Sequence, residues 1–243
     1  MDGGQTAKKY FRYQDWCAIY LMLDCYSSKS VIFECIYCEQ DKMDFEILLS
    51  DKYTGYQAKG NPHQLKANEI NNILLCYHRR SIKLMKTEKH FTFIFADEPR
   101  HSLKYLLAKL CGNVGIHAYQ KRTQTYIMTA LKNIPDAVVN IRHSVYSIQH
   151  IQDLVFAKVA RIIQAKIPEL DDVPIEIVDN LIKIFRDCID GASSKDCDDE
   201  RVVTKHDIDK LILRYLSSVK ILKYEGAQTR YIRLSLMDSG EYR

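Results

Sequence analysis

The chain has 243 residues, 47% of them hydrophobic, with 35 basic and 31 acidic side chains and a net charge of +4. That is enough apolar material for one large or two small folded cores, and too small a net charge to announce nucleic acid by itself. No apolar run reaches membrane length and no signal peptide opens the sequence, so the eight cysteines are expected as free thiols in a reducing cytoplasm.

Met1 to Thr6 reads as a loose start. Ala7 to Tyr26 reads as a helix, with Phe11, Trp16, Ile19, Tyr20 and Leu23 forming a broad apolar stripe. Three strands follow. Ser30 to Ile36 alternates and is rich in β-branched and aromatic residues. Asp44 to Leu49 places Asp44, Glu46 and Leu48 on one face and Phe45, Ile47 and Leu49 on the other. Ser50 to Thr54 reads as a turn, and Gly55 to Lys59 as the third strand, with Gln57 and Lys59 sharing a face. A hairpin of this size brings the start of one strand beside the end of the next, so Asp44 is expected near Gln57 and Lys59. Glu46 is expected to be solvated.

Gly60-Asn61-Pro62 breaks the pattern, and Gln64 to Lys86 then reads as a helix with a basic far end. His90 to Ala96 is an apolar strand and Pro99 to Leu110 a helix. The order αβββαβα gives an α/β sandwich with a mixed sheet. Cys111 to Asp136 has no clear period. Val145 to Ala165 and Glu176 to Ile189 read as amphipathic helices, and Asp190 to Glu200 as a polar acidic loop. Thr204 is placed to cap a helix over Lys205 to Ser217 through a Thr-x-x-Asp box, and Lys220 to Leu236 reads as a hairpin. The expected division is a core over residues 1–115, a connecting region over 116–144 and a helical subdomain with a C-terminal hairpin over 145–243. Cys35 and Cys38 have Cys-x-x-Cys spacing but no second pair to complete a zinc site.

The chemistry gathers around the three strands. Water attacks a phosphodiester readily when a metal polarises the phosphoryl group and acidifies the water, and magnesium takes oxygen ligands, typically one or two carboxylates with water and substrate phosphate. Asp44 offers a carboxylate, Glu34 or Glu39 a second, and Gln57 an amide oxygen. Lys59 would hold positive charge beside the attacked phosphate. At the far end of the next helix, Arg79, Arg80 and Lys83 are candidate phosphate contacts, although a basic helix C-terminus also complements the helix dipole.

In Tyr13-Gln14, a Glu-bearing strand, Asp44 and Gln57-Ala58-Lys59, the chain resembles the PD-(D/E)XK nuclease superfamily. More narrowly, it resembles the DNA endonuclease domain of SAVED-type anti-phage effectors in cyclic-oligonucleotide (CBASS) signalling. The resemblance covers about the first 115 residues. Met43 stands where the superfamily name has Pro, and Gln57 replaces the second acid, so the carboxylate count depends on Glu34, Glu39 or Glu46. The resemblance implies a restriction-endonuclease-like fold and a Mg²⁺-dependent endonuclease (Mn²⁺ being the alternative) acting on double-stranded DNA as a cytoplasmic defence effector. In that reading Gln14 turns its amide into the site. It also implies a homo-oligomer, or a complex with a sensor or ATPase domain or subunit, since residues beyond 150 are too few for such a sensor and hold no GxxxxGK[ST] loop. The alternative is a catalytically weak nucleic-acid-binding or adaptor module that docks a sensor or ATPase.

Overall fold

The computed structural model describes residues 3–40, 43–110, 121–134, 141–168, 170, 172–225 and 228–233. The first seven elements come in the expected order: α1 (Gly3–Tyr26), β1 (Phe33–Gln40), β2 (Met43–Leu49), β3 (Lys52–Lys59), α2 (Ala67–Lys83), β4 (Glu88–Phe95) and α3 (His101–Leu110). They are followed by α4 (Lys121–Ala130), β5 (Ile141–Val145), α5 (Ile148–Lys166), α6 (Ile175–Ser193), β6 (Val202–Thr204), α7 (Lys205–Ser218) and a hairpin of β7 (Lys220–Glu225) and β8 (Gln228–Arg233). Residues 234–236, expected at the end of that hairpin, lie outside the described residues, as do Met1 and Asp2 and residues 111–120 and 135–136 of the segment from Cys111 to Asp136. No helix among the described residues is long and apolar enough to cross a membrane.

Six strands form one mixed sheet in the order β5-β4-β3-β2-β1-β6. β6, β1, β2 and β3 pair antiparallel, whereas β3, β4 and β5 run parallel. The parallel step from β3 to β4 is made by α2, so α2 starts at the end of β3 that carries Lys59 and finishes over the opposite end of the sheet. The turn before β3 is shorter than expected. Lys52, Tyr53 and Thr54 belong to the strand, with Tyr53 opposite Leu48, because a wholly buried Tyr53 has a packing partner there that a turn would not give it. Gly3 to Thr6, expected to be loose, already belong to α1.

Each face of the sheet is covered, which is why strand residues of both parities are apolar. On one face Phe45, Ile47, Leu49, Tyr56 and Ala58 pack against α1 and, beyond it, α5, α6 and α7. On the other, Leu48, Tyr53, Phe91, Phe93 and Phe95 pack against α2, α3 and α4. Cys35 lies in the second core and Cys38 in the first, as three-residue spacing in a strand requires, so the pair cannot share a metal. The seven cysteines among the described residues are all free thiols. Gly55 sits at the tightest point of the second core: a Cβ there would come within 2.9 Å of Met43 Sδ, 3.1 Å of the Tyr77 ring and 3.2 Å of the Phe91 ring.

Elements beyond residue 140 pack on the same sheet. β5 and β6 complete the two edges of the sheet, and Ile151, Val155, Val159, Leu181 and Phe185 share one core with α1. Tyr13, fully buried, donates its hydroxyl to the Tyr146 carbonyl at 3.0 Å. The boundaries expected at 115 and 145 therefore mark no break between cores. The box at Thr204 forms as anticipated: its hydroxyl accepts from the Asp207 N–H at 3.2 Å, and Asp207 accepts from the Thr204 N–H at 2.9 Å.

Candidate active site

Asp44 stands at the start of β2, next to the pair Phe45–Tyr56, so the antiparallel register carries it to the end of β3 where Gln57 and Lys59 lie. One carboxylate oxygen, Oδ2, accepts from the Gln57 amide at 2.7 Å and from the Ala58 N–H at 2.7 Å. Gln57 is 2% exposed, and with its NH₂ given to Asp44 its Oε1 is buried without a hydrogen-bond partner among the described residues. Turning the amide over would set that oxygen against a carboxylate oxygen, so the arrangement follows from charge. An orphaned buried carbonyl costs free energy until something electropositive meets it.

Asp44, Gln57 and Lys59 line one pocket of about 360 Å³, closed on its other side by the first turns of α2 through Lys66, Glu69 and Asn72. Burial pushes the Asp44 carboxyl up to about 6, against the opposing pull of Lys59, the Ala58 N–H, Gln14 and Gln57. Lys59 Nζ also lies 3.5 Å from Glu69 Oε1. A second, narrower cleft on the α1 side of Asp44 is lined by Gln14 and Glu39. The Gln14 amide donates to the Ala58 carbonyl at 3.4 Å. Glu39 lies across the β1–β2 pair from Asp44, between Cys38–Phe45 and Gln40–Met43. Its backbone is left-handed, φ 49°, with its carbonyl held by Arg201 Nη1 at 2.9 Å. Non-glycine residues in that region are uncommon and gather at functional sites.

Other expected residues go elsewhere. Glu34 sits at an irregularity in β1 between Phe33 and Cys35, roughly 15 Å along the strands from Asp44. Its carboxylate is taken by Lys86 at 2.7 and 2.8 Å, so it does not join the pocket. Glu46 is not solvated but fully buried, because α2 covers that face. It accepts from Arg80 Nε at 3.1 and 2.8 Å and from the Tyr53 hydroxyl at 2.8 Å. Arg80 also stacks over Tyr37, 5.4 Å from the ring centre, so its expected role toward DNA gives way to an internal one. Arg79 and Lys83 are exposed, but they stand at the C-terminal end of α2, roughly 15–20 Å from the pocket wall at Glu69.

Lys66 and Glu69 were missed by sequence reasoning. The signal that finds them is topological: a helix crossing between parallel strands returns its first turn to the C-terminal end of the strand before it, here the end that carries Gln57 and Lys59.

The pocket suits a hard divalent cation. Its donors are oxygens, the Asp44 carboxylate and the unpartnered Gln57 carbonyl, and no group of three His, Cys, Asp or Glu side chains gathers anywhere among the described residues. A single carboxylate with waters and substrate phosphate is a magnesium arrangement rather than a protein-only cage.

The family model described as "Cap4, dsDNA endonuclease domain" matches residues 2–188. Among solved structures, the chain is similar to an Acinetobacter baumannii Cap4 SAVED/CARF-domain containing receptor, at 15% identity and a TM-score of 0.55 over 85% of this chain and 46% of that one. The same receptor with the cyclic trinucleotide 2'3'3'-cAAA gives 15% identity and a TM-score of 0.54 over 84% and 44%. These likenesses are of fold, and the chain spans less than half the length of the structures it matches. No curated protein sequence matches it significantly.

Proposed function

Since the chain belongs to the Cap4 dsDNA endonuclease domain family, we propose that it hydrolyses phosphodiester bonds of double-stranded DNA in a divalent-metal-dependent, PD-(D/E)XK-type site formed by Asp44, Gln57 and Lys59. The observation that carries this reading is the unpartnered Gln57 Oε1 buried beside the Asp44 carboxylate in a pocket that also holds Lys59. Asp44 and Gln57 Oε1 would hold the ion, magnesium or manganese. When bound, it supplies Lewis-acid polarisation of the phosphoryl group and acidifies a water. Two donors fix Asp44 through Oδ2, and Oδ1 would be the oxygen offered to the ion. Lys59 places an ammonium against the charge that develops on the phosphoryl oxygens, and it does so on a rigid strand, so little reorganisation is needed. Gln14 braces the Ala58 peptide that in turn holds Asp44. Glu39 is the carboxylate best placed to join from the α1 side.

The biological reading is a cytoplasmic anti-phage effector whose nuclease is controlled by a sensor; the chain is similar in fold to part of SAVED/CARF-domain containing receptors. A homo-oligomer or a complex with a sensor or ATPase unit is the corresponding assembly.

The test is plasmid cleavage with Mg²⁺ or Mn²⁺, with and without EDTA, scored against Lys59→Ala. Cutting that needs metal and Lys59 supports the enzyme. A protein that binds duplex DNA and leaves it intact with either metal is the adaptor instead. Mg²⁺ should raise the melting temperature of the wild type and not of Asp44→Asn, a readout independent of turnover.

A further inference from the structure

The pocket has two walls of different character. The sheet wall is half-buried and holds Asp44, Gln57 and Lys59. The helix wall is exposed and polar: Lys66, Asn68, Glu69 and Asn72 all face solvent as they line the pocket. Asn68 and Asn72 are one turn apart and so lie on one stripe of α2. The neighbouring positions of these first turns are engaged elsewhere. Ile70, Ile73 and Leu74 are buried against the sheet, and Asn71 donates to the carbonyls of Ala130 at 3.0 Å and Lys132 at 2.6 Å. Beside Glu69, the exposed wall of these turns holds one ammonium, Lys66, and two amides, Asn68 and Asn72.

This wall is held in place from behind. The Leu65 carbonyl accepts from Arg100 Nη2 at 2.9 Å and from the Tyr126 hydroxyl at 3.1 Å, and Leu65 itself is 1% exposed. The residue before Lys66 is therefore anchored. Lys66 is also the N-cap of α2 and makes no side-chain cap hydrogen bond to the first N–H groups of the helix, which belong to the turn that lines the pocket. Gln57, whose buried Oε1 has no hydrogen-bond partner among the described residues, lines the same pocket.

We propose that the phosphodiester backbone of the strand being cut lies along the first two turns of α2, with the phosphate next to the attacked one held by Lys66 and the sugar–phosphate edge by Asn68 and Asn72. The proposal rests on the nuclease reading of the pocket and specifies where its substrate runs. Lysine, asparagine amides and helix N-termini are the groups that contact phosphate and sugar without reading sequence. Glu69 is the one carboxylate on this wall. Its contact with Lys59 is a partly exposed pair at 3.5 Å, the weak kind that an arriving phosphate displaces readily. The same argument takes the DNA away from Arg79 and Lys83, which stand at the other end of α2.

The experiment is binding of a fluorescein-labelled DNA duplex to the full chain, read by anisotropy in EDTA so that no strand is cut, across a range of salt. Lys66→Glu combined with Asn72→Ala should weaken binding about tenfold or more and lower the salt slope by about one. Arg79→Glu with Lys83→Glu should change affinity less than about twofold. Both pairs are on the surface, and a thermal melt checks that each variant folds. The proposal is overturned if the Lys66/Asn72 variant binds like the wild type, or if Arg79/Lys83 reversal is the more damaging change. If that happens while wild type still cuts plasmid in a Lys59-dependent way, only the path of the strand is wrong. A wild type that neither binds nor cuts would take the nuclease reading down with it.

Discussion

At the C-terminal end of α2, Arg80 closes on Glu46 through two contacts and Lys86 closes on Glu34 through two more. At the N-terminal end, Lys59 lies 3.5 Å from Glu69 and pulls on the Asp44 carboxyl, while the buried Gln57 Oε1 has no hydrogen-bond partner among the described residues. Both ends join acids and bases of the sheet to those of α2 and the residues that follow it. At one end the charges satisfy each other, which makes structure. At the other they line a pocket and one of their buried oxygens is left without a partner among the described residues, which is what the proposed site would use. Charge type alone does not separate a functional cluster from a structural one. The fraction of its hydrogen-bonding capacity already spent does.

Four substitutions test the distinction. The largest effect on stability should come from Arg80→Ala, which strands a carboxylate with no exposure. Breaking one half of a buried pair typically costs about 3–5 kcal/mol, read as a drop in the urea midpoint, and a loss below about 1 kcal/mol would say that Glu46 is relieved by something else. Lys59→Ala should do the reverse. The fold should barely change, while the cleavage rate falls roughly 100- to 1000-fold, equivalent to about 3–4 kcal/mol. Loss of folding in place of loss of rate would make Lys59 structural.

Asp44→Asn comes third and has a signed pH dependence. The folded carboxyl titrates near 6 and the unfolded one about two units lower. Above pH 6 both states are ionised, and the folded protein carries the whole cost of burying the charge. As pH falls from 6 toward 4 the folded state takes up the proton first and that cost disappears. In the absence of metal, Asp44→Asn should therefore be more stable than wild type at pH 7.5, by about 2 kcal/mol after allowance for partial exposure, and the gap should close by pH 4. Wild-type cleavage should fall through the same window. A constant difference between the two proteins across that range would refute the assignment. The smallest effect should be Glu34→Ala, which opens a partly exposed ion pair with Lys86 and should cost under about 1 kcal/mol with no change in cleavage.

The alternation within Asp44 to Leu49 and within Gly55 to Lys59, six of the seven helices and the Thr204 box were legible, because each is written in local spacing. The start of β3 at Lys52, α4, β5 and β6 were not. β6 is three residues long, below any useful period, and β5 is an edge strand whose Arg142 and His143 are exposed, so it lacks the apolar run of a central strand. Glu46 misled because alternation gives the parity of a strand residue and not whether that face is covered. The placement of Arg79, Arg80 and Lys83 was in principle readable: once α2 is recognised as a crossover between parallel strands, its two ends must lie at opposite ends of the sheet, and only the first can stand near Lys59. Of the acids offered for the site, Glu34 and Glu39 looked equivalent in sequence. The register of β1 on β2 separates them, and register is set by pairing across the sheet.

The clearance between sheet and helix at Gly55 is, in mechanical terms, a spacer for the pocket. Tyr77 and Phe91 close over the bare Cα, so α2 rides as near to β3 as two rings allow. Gln57 and Lys59 stand further along the same face of that strand, and the first turns of α2 form the opposite wall. Even a methyl group at position 55 would act as a shim under the helix. The Tyr77 ring would have to give, and the tilt would be passed along α2 to Lys66 and Asn72, widening the gap across which one phosphate must touch both walls.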